Sequence, residues 1–169
     1  MIGLQRRVVV AVVGGLLVLG ACGGSSSNSS NTTTTTTTAP PTTLSAAQTQ
    51  DAIKKVFTDF FDGKNTDLNA KLQLLDDPQK YKALYNKFAT DPTTGPQLAG
   101  TSVTVTSVTP QPDGSAEVKY TLNLNGNPAL TDQLGKAVQV NGQWKVAGST
   151  FCDLAALGNP SAAQDPACQ

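Results

Sequence analysis

The chain has 169 residues with twelve basic and twelve acidic side chains, so its formal net charge is zero. Residues 22–169 contain no Arg, His or Met and a single Glu, Glu117. Nucleic-acid binding depends on dense positive charge, so this composition excludes a nucleic-acid-binding protein. The composition also predicts no metal site and no cofactor. An active site would lack Arg, whose guanidinium binds carboxylates and phosphates bidentately, and His, the side chain that titrates near neutral pH.

The first 21 residues have the pattern of a secretory signal peptide. Arg6 and Arg7 precede an apolar run over residues 8–19, which is too short to span about 30 Å of hydrocarbon as a helix. The run ends in Leu-Gly-Ala-Cys at residues 19–22, which resembles a lipobox. We therefore expect cleavage before Cys22, acylation of that cysteine with palmitate-type chains, and a lipid anchor in the cell membrane facing the extracytoplasmic side.

Residues 22–43 form a low-complexity segment of Gly, Ser, Asn, Thr and Pro, with seven consecutive threonines at 32–38. Such a composition buries too little apolar surface to offset the entropy lost on ordering, so it predicts a disordered tether. Clustered Ser and Thr residues of this kind are also typical of O-glycosylated segments. The alternative to the anchor is an ordinary signal peptide cleaved nearby, which would leave Cys22 as a free thiol.

Three helices are predicted after the tether. Ser45, with Gln three residues later, matches a capping box. Asp67 can cap a short second helix, and Asp77 followed by Pro78 predicts the N-cap and first residue of a third, which ends at Asp91. The apolar residues that recur at helical spacing are Ile53, Val56, Phe57, Phe60 and Phe61, then Leu68, Leu72 and Leu75, then Tyr81, Leu84, Tyr85 and Phe88.

The sequence then changes to the alternating period of β-strands. The alternating runs cover residues 103–105, 116–124, 138–140 and 144–146. The tight-turn dipeptides near them are Asp113-Gly114, Asn125-Gly126 and Asn141-Gly142. Four strands joined by three turns predict an antiparallel meander with one apolar face, which the helices must cover. The predicted fold class is therefore α+β over residues 44–157.

Two cysteines lie near the C-terminus. In an exported protein, Cys152 and Cys168 are most simply a disulfide. It would fasten a Gly-, Pro- and Ala-rich tail, residues 158–169, to the end of the last strand. A redox-active pair is the alternative, but the spacing is not Cys-x-x-Cys, and no Arg or His is present to lower a thiol pKa.

Residues 137–146, Ala-Val-Gln-Val-Asn-Gly-Gln-Trp-Lys-Val, and residues 150–154, Thr-Phe-Cys-Asp-Leu, carry a family resemblance. They are similar to the C-terminal domain of the low-molecular-weight secreted antigens of mycobacteria and to lipoproteins of related actinobacteria. The first helix and the run at 107–110 fit the same pattern, so the resemblance covers most of residues 44–157. It implies an NTF2-like (cystatin-like) cone, in which helices pack into the concave face of a curved sheet.

The resemblance implies a cone that can hold a small molecule, although the function of the family is largely undefined. The aromatic residues that we expect to line the pocket are Phe57, Phe61, Tyr81, Tyr85, Tyr120 and Trp144. Some NTF2-like domains are isomerases or dehydratases that use an Asp with a His or Tyr. The catalytic candidates here would be Asp59, Asp62, Tyr81, Tyr85, Tyr120 and Asp132. Helical periodicity places the first two beside the apolar face, which disfavours catalysis.

We therefore expect a non-enzymatic, membrane-anchored domain that binds a small apolar ligand or an envelope protein. We expect it to be a monomer or a weak dimer. One alternative is an NTF2-like enzyme that uses Asp and Tyr in the cone. The other is a purely structural or antigenic surface protein, which predicts a filled core without a groove.

Overall fold

The computed structural model describes residues 44–169. The predicted signal peptide, the lipid on Cys22 and the tether lie outside the described residues and stay predictions. The helices are α1 (Ala46–Phe60), α2 (Leu68–Leu72), α3 (Pro78–Thr90), α4 (Thr94–Ala99) and α5 (Gly148–Gly158). The strands are β1 (Thr101–Pro110), β2 (Ala116–Leu124), β3 (Asn127–Val140) and β4 (Gln143–Val146). Two short 3-10 helices, Pro160–Gln164 and Pro166–Cys168, follow α5.

The caps of the first three helices are those that the sequence predicts. Ser45 and Gln48 form a reciprocal capping box, with donor–acceptor distances of 2.9 and 3.2 Å. The Asp67 carboxylate accepts a first-turn N–H of α2 at 3.0 Å. Asp77 accepts two N–H groups at the start of α3, where Pro78 occupies the first turn. Side chains therefore satisfy helix-end donors that would otherwise lack partners.

The four strands pair in the order β1-β2-β3-β4, each antiparallel to the next. All three predicted turns are present. Asn125 and Asn141 have φ of 52°, and the glycine after each also has positive φ. This backbone conformation suits Asn-Gly and is strained for most other residue pairs. The predicted α+β meander is therefore confirmed, and its arrangement is consistent with an NTF2-like cone.

Bulges in two strands decide which side chains face the helices. In β1 the register shifts after Val105, so that Val105 and Val108 both pack against the core. In β3 the register shifts between Leu130 and Gln133, where Asp132 has φ of 55°. A bulge adds one residue and so reverses the alternation of side chains along the strand. The alternating pattern therefore predicted only residues 138–140 of β3, because the bulge interrupts the alternation in the first part of the strand.

Aromatic side chains fill the centre of the cone. Phe57 and Tyr120 have 0% and 1% of their surface exposed, and their ring centroids lie 5.6 Å apart. Phe61 stacks on Tyr120, also at 5.6 Å. The apolar faces predicted for α1 and α3 thus belong to one continuous core with the buried residues of the sheet.

The fifth helix was not predicted. It follows β4 directly and places Phe151 among aromatic rings of α1 and α3. The centroid of Phe151 lies 5.6–6.4 Å from those of Phe60, Tyr81, Tyr85 and Phe88. Residues 147–158 are rich in Gly, Ala and Ser and show only a weak helical period, so their sequence gave little indication of this helix.

Side chains distant in sequence hold the start of α5. The carboxylate of Asp76 accepts the N–H of Gly148 at 3.0 Å. The hydroxyl of Thr150 accepts the N–H of Lys136 on β3 at 2.8 Å. These contacts tie the first turn of α5 to the loop before α3 and to the sheet.

The structure contains the predicted disulfide between Cys152 and Cys168, whose Cα atoms are 5.6 Å apart. Cys152 lies on α5, so the bond fastens the tail to this helix and not to the end of the last strand. Closing a loop of this length stabilises the fold by about 3 kcal/mol in the chain-entropy model. The tail itself packs through Ala162 and Ala167, which are both buried.

A substitution at Gly148 tests the close packing of α5 on α3. A β-carbon at this position would overlap the ring of Tyr81. We expect Gly148→Ala to lower the free energy of unfolding by about 1–3 kcal/mol, because the tyrosine must leave its place. Urea unfolding of the purified variant measures this.

Gly158, at the other end of α5, is the matched control, since a β-carbon there would meet no atom within 4 Å. Gly158→Ala should change stability by less than about 0.5 kcal/mol. Equal stabilities for the two variants would contradict the packing of α5 against Tyr81.

Candidate functional site

An apolar groove of about 330 Å³ opens beside the filled centre of the cone. This volume is within the usual range for small-molecule sites. Residues from all five helices line the groove, together with the start of β1, the end of β2 and the start of β3. The lining residues are Phe60, Phe61, Lys71, Tyr85, Phe88, Thr94, Gln97, Leu98, Thr101, Leu122, Leu124, Ala129, Leu130, Phe151, Leu154, Ala155, Leu157 and Gly158.

Packed aromatic rings build the inner wall of the groove. The Tyr85 centroid lies 6.2 Å from that of Phe60 and 5.6 Å from that of Phe151. Phe60 also meets Phe61 edge to face at 4.9 Å. Aromatic pairs at such separations add about 0.5–1.5 kcal/mol each beyond the burial of their area. The rings hold one another in place, so this wall exists without a ligand.

The structure places only some of the expected pocket residues in this groove. Phe61 and Tyr85 lie in its wall. Phe57, Tyr81 and Tyr120 do not line it and are buried in the core instead. Because Phe57 and Tyr120 occupy the centre of the cone, the accessible space is displaced toward the ends of the strands.

Trp144 also lies away from the groove. It is half-buried on β4, opposite Gln139, and packs against the core. Its indole N–H is buried without a hydrogen-bond partner among the described residues. It lies at the edge of the sheet because β4 is the last strand in the order β1-β2-β3-β4.

One lining residue that the sequence analysis missed is Lys71, of which only 6% is exposed. Burial lowers the pKa of its ammonium, and the negative charge of Asp62 acts in the opposite direction. A signal for Lys71 was present in the sequence. Together with Leu68, Leu72 and Leu75, it occupies the i, i+3, i+4, i+7 positions of one helical face, where it is the charged exception.

Tyr85 is the second titratable group of the groove. Burial raises the pKa of its phenol to about 12, because the phenolate would lose its hydration. The hydroxyl therefore stays protonated at neutral pH and can donate a hydrogen bond. The groove thus combines apolar rings with an ammonium and a phenol.

The carboxylates considered for catalysis lie outside the groove. Asp59 and Asp132 form ion pairs of 2.7 and 2.8 Å with lysines; Asp59 is half-buried and Asp132 is largely exposed. Asp62 accepts a backbone N–H at 3.0 Å. Among the lining residues, the titratable side chains are Lys71 and Tyr85. The groove therefore has donors and apolar surface but no carboxylate to act as a base.

A second, wider depression of about 530 Å³, lined mostly by residues with polar side chains, lies near the turn between β1 and β2. Asp113 accepts from the N–H and hydroxyl of Ser115 and from the ammonium of Lys136. These bonds hold the pKa of Asp113 well below its usual range, since they favour the charged carboxylate. The polar groups satisfy one another and fix the turn.

Residues 44–169 contain no group of three or more His, Cys, Asp or Glu side chains placed to hold a metal ion. None of their helices has the length and apolar character needed to cross a bilayer.

A family model described as low molecular weight antigen MTB12, C-terminal domain, matches residues 46–162. The match covers more than two-thirds of the chain and includes the groove-lining residues of every element. No curated protein matches the chain.

The buried phenol of Tyr85 predicts a loss of stability at high pH. The unfolded chain releases this proton near pH 10, whereas the native protein keeps it until about pH 12. Stability should therefore fall between pH 10 and 12, by about 1.4 kcal/mol per pH unit for this group. Tyr85→Phe lacks this ionisable group. Its free energy of unfolding, measured by urea titration at pH 9 to 12, should therefore fall less steeply with pH than that of the wild-type protein. Identical slopes for the two proteins would mean that the hydroxyl is solvated.

Proposed function

The chain belongs to the low molecular weight antigen MTB12 C-terminal domain family, and from this premise we propose that it is a non-enzymatic binding module. In this proposal the groove takes a small apolar ligand, while lipid on Cys22 anchors the protein at the extracytoplasmic side of the cell membrane. The observation that carries the proposal is the apolar groove with its wall of packed rings.

The composition of the groove supports binding over catalysis. Acid–base catalysis requires a group that accepts a proton near neutral pH, and the lining supplies no Asp, Glu or His for this purpose. The observation that favours the enzyme alternative is Lys71, since a desolvated amine can act as a nucleophile toward carbonyl substrates. Turnover by that route also needs a partner for proton transfer, and Tyr85, with a pKa of about 12, is a poor one.

The third alternative, a purely structural or antigenic domain, predicts a filled core and no groove. The core is filled around Phe57 and Tyr120, as that alternative requires. The groove nevertheless lies beside this core and exposes Leu98 and Leu157 at its rim. Apolar surface that remains open next to a well-packed core supports a binding role.

The anchor is proposed from the sequence around Cys22. The lipobox-like residues 19–22 follow an apolar run of signal-peptide length. The disulfide between Cys152 and Cys168 supports export, since such bonds persist in oxidising compartments. A tether of low complexity would leave the domain free to reach ligands near the membrane surface.

Intact-mass analysis of the protein from its own host tests the anchor. We expect a mature chain that begins at Cys22 and carries acyl chains, with most of the protein in the detergent phase on phase separation. Cys22→Ala should abolish the lipid mass, whereas Cys152→Ser should keep it. A mature chain without lipid, cleaved at another residue, would contradict the proposal.

Native mass spectrometry tests the groove. The protein is purified from the host envelope, and the folded domain is then released by proteolysis in the tether. We expect the folded domain to carry the additional mass of a bound ligand, which is lost when the domain is denatured. Ala129→Trp places an indole in the groove and should weaken binding at least about tenfold, which needs only about 1.4 kcal/mol of lost contacts, so the bound mass should be lost at ligand concentrations near the wild-type Kd.

Ala83→Trp is the matched control, since Ala83 lies exposed on α3 and does not line the groove. It should retain the bound mass. A domain without added mass in either form would favour the structural alternative. Turnover of a substrate that copurifies with the wild-type protein and is lost in Lys71→Met would favour the enzyme.

A further inference from the structure

Lys71 brings a positive charge into an otherwise apolar wall. It lies in the last turn of α2, and 6% of its surface is exposed. Apolar side chains that line the same groove include Phe60, Phe88, Leu122 and Leu130. A buried ammonium loses much of its hydration, so it is costly unless an opposite charge or strong acceptors replace the water.

Residues 44–169 place no such charge in ion-pair contact with Lys71. The ion pairs among residues 44–169 use Lys55, Lys119 and Lys136, and none includes Lys71. Asp62 acts on Lys71 electrostatically, but it lies beyond ion-pair distance and its carboxylate already accepts a backbone N–H. The lowered pKa of Lys71 has burial as its main cause, which agrees with an ammonium that lacks a close partner.

The shape and charge of the groove narrow the class of ligand. A volume of about 330 Å³ is near the lower limit for small-molecule sites. This volume suits an amphiphile with one acyl chain better than a lipid with two. One ammonium balances one negative charge. The lining contains no Arg, which is the side chain best suited to hold a phosphate bidentately. The Tyr85 hydroxyl offers a second donor in the same groove.

We propose that the groove binds a single-chain amphiphile with a carboxylate head, of the long-chain fatty acid class, and that the ammonium of Lys71 pairs with this carboxylate. The acyl chain lies along the rings and leucines of the groove. This inference rests on the proposed binding function and adds the chemical class of the ligand. Pairing with the carboxylate replaces the lost hydration of Lys71 with a charge-assisted hydrogen bond.

Photolabelling of the full chain tests the pairing. The protein is placed in phosphatidylcholine nanodiscs and irradiated with a diazirine-bearing hexadecanoic acid or with its methyl ester. Mass spectrometry then measures the labelled fraction of peptides from α3, α5 and β3. The acid should label the wild-type groove about tenfold more strongly than the ester, because a hydrogen bond between charged groups contributes more than one between neutral groups.

The variant Lys71→Met removes the charge while keeping an unbranched side chain of similar length. It should lower labelling by the acid about tenfold, to the level of the ester, and leave labelling by the ester unchanged. Its melting temperature should not fall, since the ammonium that is removed forms no ion pair among residues 44–169. Lys82→Met, on the exposed side of α3, is the matched control and should behave as the wild-type protein does.

The outcomes separate this inference from the function on which it rests. Equal labelling by acid and ester in the wild-type and Lys71→Met proteins would overturn the pairing and keep the apolar groove as a binding site. Absence of label from the groove peptides with both probes would overturn the pairing and the binding function together. Equal loss of acid labelling in Lys82→Met would also overturn the pairing, because the effect would then come from overall charge.

Discussion

The packing of Phe151 against the aromatic faces of α1 and α3 is the interaction on which the rest of the structure depends. Its ring meets aromatic rings from both helices, so it joins α1 to α3 on the side that α5 covers. Asp76, Thr150 and the disulfide of Cys152 hold the helix that carries it. Without α5, the apolar faces of α1 and α3 would be exposed on this side, and the groove would lack one wall.

Dense packing at the centre has a functional consequence. In a cone, the natural place for a ligand is the space between the helices and the sheet. Here Phe57 and Tyr120 occupy that space, so the open apolar surface lies near the ends of β2 and β3. The bulge near Asp132 belongs to the same arrangement, since it turns Leu130 toward the groove. A filled core and an open apolar groove are therefore compatible in one small domain.

The sequence predicted the candidate site only in part. Phe61 and Tyr85 were expected in the wall because they lie on apolar helix faces, but the same reasoning selected Phe57, Tyr81 and Tyr120, which are buried. The helical period shows which face of a helix is buried, but it does not show whether protein or a ligand buries that face. Other lining residues come from α4 and α5, which the sequence did not predict, and Lys71 interrupts an apolar face in a way that the pattern alone did not interpret.

Local signals in the sequence determined the caps of α1, α2 and α3, the three tight turns, the order of helices before strands and the family. Each of these depends on residues within a few positions of one another, such as the capping box at Ser45 or the Asn141-Gly142 turn. The tertiary structure alone decided the course of β3, the existence of α5 and the place of the groove. These depend on bulges and on contacts between residues as distant as Asp76 and Gly148, and packing between distant segments outweighs weak local preference.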